Sequence, residues 1–160
     1  MLDNSTVMDE IVYNKMGCGT KVQVDDYVPG LLNQNPNVEL HIGTDSQNYS
    51  KHTVYVTTVV FRFVQQGAHV IYKKDRVPKI TDIWTRLWSE LERSTNLALY
   101  LKNDCGIDVH QIDLDYNDNP RYASYKLKKA AVGYVESLGF SAKTKPNLLM
   151  ATGAANVLCH

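Results

Sequence analysis

The 160-residue chain is poor in cysteine: Cys18, Cys105 and Cys159 are odd in number, far apart, and contain no C-x-x-C pair. Such spacing gives neither a disulfide framework nor a zinc or redox motif, so the three are expected to be free thiols. No apolar run nears the roughly 20 residues of a membrane span, and Asp3, Asp9 and Glu10 stand where a secretory signal would be basic and then apolar. A cytoplasmic protein with no membrane association is expected. Net charge is also missing, since 17 basic residues balance 17 acidic ones, and this excludes the strongly basic balance that marks many nucleic-acid-binding domains. There is no G-x-x-x-x-G-K-[ST] and no G-x-G-x-x-G after a strand; Gly17-Cys18-Gly19 is not followed by the needed glycine, which leaves a nucleotide-binding enzyme with little support.

What is present is ordinary for a globular chain, 44% apolar and 21% charged. Charge is unevenly placed, however. Five acids and no Lys or Arg lie between Asp104 and Asp118, whereas six basic residues and the single acid Glu136 lie between Arg121 and Lys145. Local fields can therefore act despite overall neutrality.

Residues 1–37 are weakly patterned, broken by Gly17, Gly19, Pro29, Gly30 and the polar cluster 33–37, and are expected to form an amino-terminal extension with one short helix around Val22 to Leu32. From residue 38 to 160 the pattern is that of one α/β domain. Val38, Leu40 and Ile42 alternate with polar neighbours in a strand ending near Asp45. Thr53 to Val64 and Ala68 to Val77, separated by Gln65-Gln66-Gly67, form a hairpin of β-branched and aromatic residues. Trp84, Leu87, Trp88, Leu91 and Ala98 then recur at helical spacing, with Thr81 as the expected N-cap. A strand over Ile107 to Asp115, a helix carrying Leu127, Ala131, Tyr134 and Leu138, a short strand over Phe140 to Thr144, and a last helix over Asn147 to Leu158 with Pro146 in its first turn complete the order. The expected architecture is a mixed five-stranded sheet, three strands antiparallel and then helix and strand alternating, with helices on both faces.

The acids carry the chemistry. Asp45 ends the first strand of the domain; Asp113 and Asp115 share one face of the fourth, because residues two apart point the same way. Neighbouring first and fourth strands would bring Asp45 and Asp115 together, and two close carboxylates demand a proton or a cation. On the helix between them Glu90 lies within about 20° of Ile83 and Leu101, at the margin of the apolar stripe, where a carboxylate is costly unless paired or metal-bound. Oxygen ligands from separate elements suit Mg²⁺ or Mn²⁺. Taken singly, an Asp beside a Ser at a strand end is more often a turn residue, and Glu90 could simply pair with Arg86 or Arg93.

Four ordered segments resemble the YkuK family of predicted ribonuclease H-like nucleases: His41-Ile42-Gly43-Thr44-Asp45-Ser46-Gln47; Asp75-Arg76-Val77-Pro78 with Arg86-Leu87-Trp88-Ser89-Glu90; Ala131-Val132-Gly133-Tyr134-Val135; and Lys143-Thr144-Lys145-Pro146. The resemblance spans residues 38 to 160. It implies the ribonuclease H-like fold and metal-ligand acids in the first strand, first helix, fourth strand and last helix. The first three fall on Asp45, Glu90 and Asp115, with Asp113 the rival ligand to Asp115, which is favoured because it sits nearer the strand end. The fourth falls on Asn156, a neutral amide that would hold a second ion less firmly, with His160 one turn further as a substitute ligand.

The expected activity is therefore metal-dependent hydrolysis of phosphodiester bonds in nucleic acid by two Mg²⁺ or Mn²⁺ ions, with Lys143 and Lys145 facing substrate and Lys145 stabilising the oxyanion. The alternative is a catalytically impaired nucleic-acid-binding or assembly module on the same fold, motivated by Asn156.

Overall fold

The computed structural model describes residues 11–145 and 147–160. The acidic residues before position 11 and the first-turn role expected of Pro146 lie outside the described residues. The elements are β1 (Val12–Lys15), β2 (Lys21–Gln23), α1 (Val24–Gln34), β3 (Glu39–Asn48), β4 (His52–Phe63), β5 (Gly67–Pro78), α2 (Ile83–Asn103), β6 (Gln111–Leu114), α3 (Ala123–Ser137), β7 (Ala142–Thr144) and α4 (Met150–Cys159). They form a mixed α/β structure around one sheet in the order β2-β1-β5-β4-β3-β6-β7. The five-stranded expectation is thus corrected to seven. The extra pair comes from the supposed extension, where β1 pairs antiparallel with β2 and, through Asn14 and Lys15, with β5. Three- and four-residue strands are too short to show a period, which is why the pattern missed them.

The central strands follow from their alternation. β3 pairs antiparallel with β4, and β4 with β5; β3 pairs parallel with β6, and β6 with β7. Leu40 and Ile42 on β3, with Val59 and Phe61 on β4, enter a large core completed by residues of α1, α2 and α3, among them Val28, Leu91, Leu101 and Val135. Val56, displaced by an odd number of residues from Val59, faces the other way, against Ala155 and Cys159 of α4. Among the described residues α1, α2 and α3 therefore share one face and α4 packs on the other. Each fully buried Leu, Ile or Val in these layers contributes roughly 1.5–3 kcal/mol.

Several element ends differ from the sequence expectation for local reasons. The N-cap of α2 is Asp82 instead of Thr81: its Oδ2 accepts from both Thr85 N (2.8 Å) and Thr85 Oγ1 (2.6 Å), a charged acceptor that also suits the positive end of the helix. β6 is shorter than expected because Ile107 N bonds back to Leu101 O at the end of α2, and the His110 ring Nδ1, instead of a backbone carbonyl, accepts from Leu40 N. α4 starts at Met150, since Asn147 folds back on Thr144 O through both its backbone N and its side-chain Nδ2.

α4 lies unusually close to β3. A Cβ on Gly43 would stand 2.7 Å from Thr152 N and 2.9 Å from Ala151 Cβ, so only glycine admits the helix at this point. Gly43→Ala is expected to destabilise the protein by about 1–3 kcal/mol, read as a lower urea midpoint; an unchanged midpoint would mean that α4 yields freely.

Candidate active site

The parallel register of β3 on β6 aligns His41 with Gln111 and Gly43 with Asp113. Continued by two residues, the same offset sets Asp45 beside Asp115 on the α4 face; β3 does not end near Asp45 as expected but runs on to Asn48 through its pairing with β4, so Asp45 lies inside the strand and Asp115 just past the end of β6. In open α/β sheets this end of the parallel strands is where ligands bind. Asp45 is half-buried. Its Oδ1 accepts from Ser46 N at 2.9 Å. Burial raises its pKa, and the charge of Asp115 adds to the rise against the Ser46 bond and the more distant His160 and Arg86.

Glu90 arrives from the opposite face. It is 8% exposed, and Ser46, which alternation turns toward α2, donates its hydroxyl to Glu90 Oε1 at 2.5 Å. Burial, joined by the charges of Asp45 and Asp115, pushes the Glu90 pKa up to about 8 against the opposing Ser46 bond and Arg86. The charges on β3 and on the residue after β6 thus raise the cost of ionising Glu90, and that of Asp115 raises the cost of ionising Asp45. Asp115 completes the group: its Oδ1 is buried, with the Lys145 ammonium 2.7 Å away as its counter-ion. Glu90, Asp113 and Asp115 line one small cavity with Thr44 and Ser94, and Asp115 with Lys145 also opens onto a wider cleft of about 370 Å³ walled by Leu148, Leu149 and Thr152.

A family model described as ribonuclease H-like matches residues 23–159. The chain belongs to the ribonuclease H-like family. No curated protein and no solved structure matches it. The match to this ribonuclease H-like chain takes in α1 as well as the segments from residue 38 onward.

Within the ribonuclease H-like arrangement the remaining candidates separate by what they touch. Asp113 is 1% exposed. Its oxygens accept from Gln111 Nε2 (2.5 Å) and from Ala151 N (2.8 Å) in the first turn of α4, so it ties that helix to β6 and leaves Asp115 facing the wider cleft. Burial raises the Asp113 pKa, opposed by those two bonds. Asn156 is exposed on α4. His160, also exposed, is near enough to Asp45 for its charge to favour the ionised carboxyl. Lys143 is exposed on β7, level with Asp113 in the register. Ser46 was not singled out from the sequence, although the period of two already turned it toward α2 and Glu90.

Among the described residues no three His, Cys, Asp or Glu side chains are grouped so as to hold one ion. Ser46 donates to Glu90 and the Lys145 ammonium lies against Asp115. A separate cleft of about 290 Å³ between β1, β5 and α2, lined by Tyr13, Lys73, Asp75 and Arg93 among others, contains none of these carboxylates. Among the described residues no helix is long and apolar enough to cross a membrane, and the three thiols are free.

Proposed function

We propose that the protein is a metal-dependent nuclease that hydrolyses phosphodiester bonds of nucleic acid at Asp45, Glu90 and Asp115. What supports this is that β3, α2 and the residue after β6 bring Asp45, Glu90 and Asp115 to the same end of the parallel strands in a ribonuclease H-like chain, with Glu90 buried and its pKa pushed up to about 8. Buried acids of this kind are costly without a cation. The donor set fits Mg²⁺ or Mn²⁺, being all oxygen and carboxylate, and the Asp115 Oδ1 already has a cation against it, the Lys145 ammonium at 2.7 Å.

Asp45, Glu90 and Asp115 would hold the ions, which when bound supply Lewis acidity to the phosphoryl oxygens and lower the pKa of water. The side chains have definite tasks. Glu90 would have to be ionised to hold a cation, while the Ser46 hydroxyl on its Oε1 orients the carboxylate. Lys145 lines the wider cleft beside Asp115, where its ammonium would neutralise charge developing on a bound phosphate. Lys143, exposed on the neighbouring strand, adds a contact to the nucleic-acid backbone.

A second reading, a nucleic-acid-binding or assembly module without turnover, is favoured by one observation: Asn156, which stands where the family's fourth acid is expected, is exposed and neutral. Labelled single-stranded, duplex and hybrid oligonucleotides incubated with Mn²⁺ or with chelator distinguish the two. Cleavage in Mn²⁺ and none in chelator is the expected result; binding with no cleavage under either condition would transfer support to the second.

A further inference from the structure

α3 presents its outer face unusually. Taking about 100° per residue, its buried side is marked by Ser124, Ala131 and Val135. Lys126 and Lys129 lie on the opposite side and Tyr125 on the flank, about 100° from the buried side, with the N-cap residue Tyr122 just before them, so that the four fall at i, i+3, i+4 and i+7. All four are exposed, Tyr122 by 55% and Tyr125 by 42%. A solvated helix face normally carries short polar or charged residues. Here two aromatic rings one turn apart precede two lysines one turn apart, and the Tyr125 N to Tyr122 O bond (3.1 Å) fixes the first turn that spaces the rings.

This face adjoins the carboxylates. Ser124 Oγ accepts from Asn117 N at 2.9 Å, which fastens the start of α3 to the segment two residues after Asp115. Lys128 pairs with Asp118 and reaches Lys145 O at 3.5 Å, fastening the helix to the loop that bears the partner of Asp115. Tyr125 lies about 60° round the helix from Lys128. Charge is one-sided along this path. Arg121, Lys126, Lys129, Lys143 and Lys145 are exposed, Asp118 is neutralised by Lys128, and Glu136 lies two turns beyond Lys129.

We infer that the Tyr122–Tyr125–Lys126–Lys129 face of α3 binds a single strand of nucleic acid, its bases stacked on the two tyrosines and its phosphates against the lysines, and leads that strand to Asp115. This rests on the nuclease reading for the direction of the strand but not for the binding itself. Ring faces are available to unpaired bases and not to bases stacked inside a duplex, while lysines attract either form. The two residue types should therefore separate in their effects.

The test is fluorescence anisotropy of a labelled oligothymidylate and of a duplex of equal length, in chelator so that nothing is cleaved, with wild type, Tyr122→Ala, Tyr125→Ala, the Phe variant at each position, and Lys126→Gln with Lys129→Gln. Each Ala variant is expected to weaken single-strand binding on the order of tenfold and Phe to restore it. The double lysine variant should weaken both forms and lower the single-strand salt slope by roughly 0.7 per lysine. Wild type holding duplex as tightly as single strand, Ala variants binding like wild type, or no oligonucleotide binding at all would each overturn the inference. Asp45-dependent cleavage that survives unaltered in both Ala variants would sink it while leaving the nuclease reading intact. Tyrosine-dependent binding without any cleavage would do the reverse.

Discussion

In chelator, Glu90→Gln is expected to make the protein more stable than wild type at alkaline pH and nearly equal to it in mild acid. Burial, with the charges of Asp45 and Asp115, raises the Glu90 pKa from 4.5 in the unfolded chain to about 8 in the fold. The folded state therefore binds the extra proton between those two values, so stability falls as pH rises through that window and levels off above it. At 1.36 kcal/mol per unit, the loss relative to a neutral side chain is about 1 kcal/mol at pH 5.5 and about 5 kcal/mol at pH 8.5. Gln escapes that loss and keeps an oxygen to accept from Ser46. Urea unfolding of both proteins at the two pH values measures the difference. A gap of the same size at both would show that Glu90 ionises in the fold as readily as in water. Mn²⁺ added at pH 8.5 should narrow the gap by stabilising wild type more than the variant, because a bound cation favours the ionised carboxyl.

The path from sequence to this site was legible where a period decided it. Alternation in Val38, Leu40 and Ile42 set β3, and with it the face on which Asp45 ends. The helical angle placed Glu90 at the rim of the apolar stripe, and it is buried there. The sequence favours Asp115 over its rival Asp113 only by its place nearer the strand end, since they are two apart on one face; the docking of the first turn of α4 on Asp113 is a second distinction between them. That contact joins residues 38 positions apart and leaves no local trace. The missing edge of the sheet has the same explanation, since β1 is held by pairing with β5 rather than by any pattern of its own. Nor could spacing foresee that Lys145 would lie against Asp115, as it depends on how the loop after β7 folds over the end of β6.

Asp45→Asn should remove nearly all metal-dependent cleavage, about a thousandfold or more, while leaving the fold intact. The substitution is isosteric, and an amide oxygen can still accept the 2.9 Å bond from Ser46 N. What disappears is one negative charge from a group of three. Two effects follow with opposite signs. Affinity for Mn²⁺ falls, because the β3 ligand is neutral; stability in chelator rises slightly, because Asp45 no longer opposes the ionisation of Glu90. Since the two residues act through one field, Asp45→Asn combined with Glu90→Gln should stabilise by less than the sum of the single changes. Calorimetric titration of Mn²⁺, urea unfolding and the cleavage assay on the same three variants read these effects separately. Full cleavage by Asp45→Asn would remove the carboxylate cluster from the chemistry altogether, whereas strict additivity in the unfolding experiment would mean that Asp45 and Glu90 do not share a field, and the convergence of β3 and α2 on one ion would lose its basis.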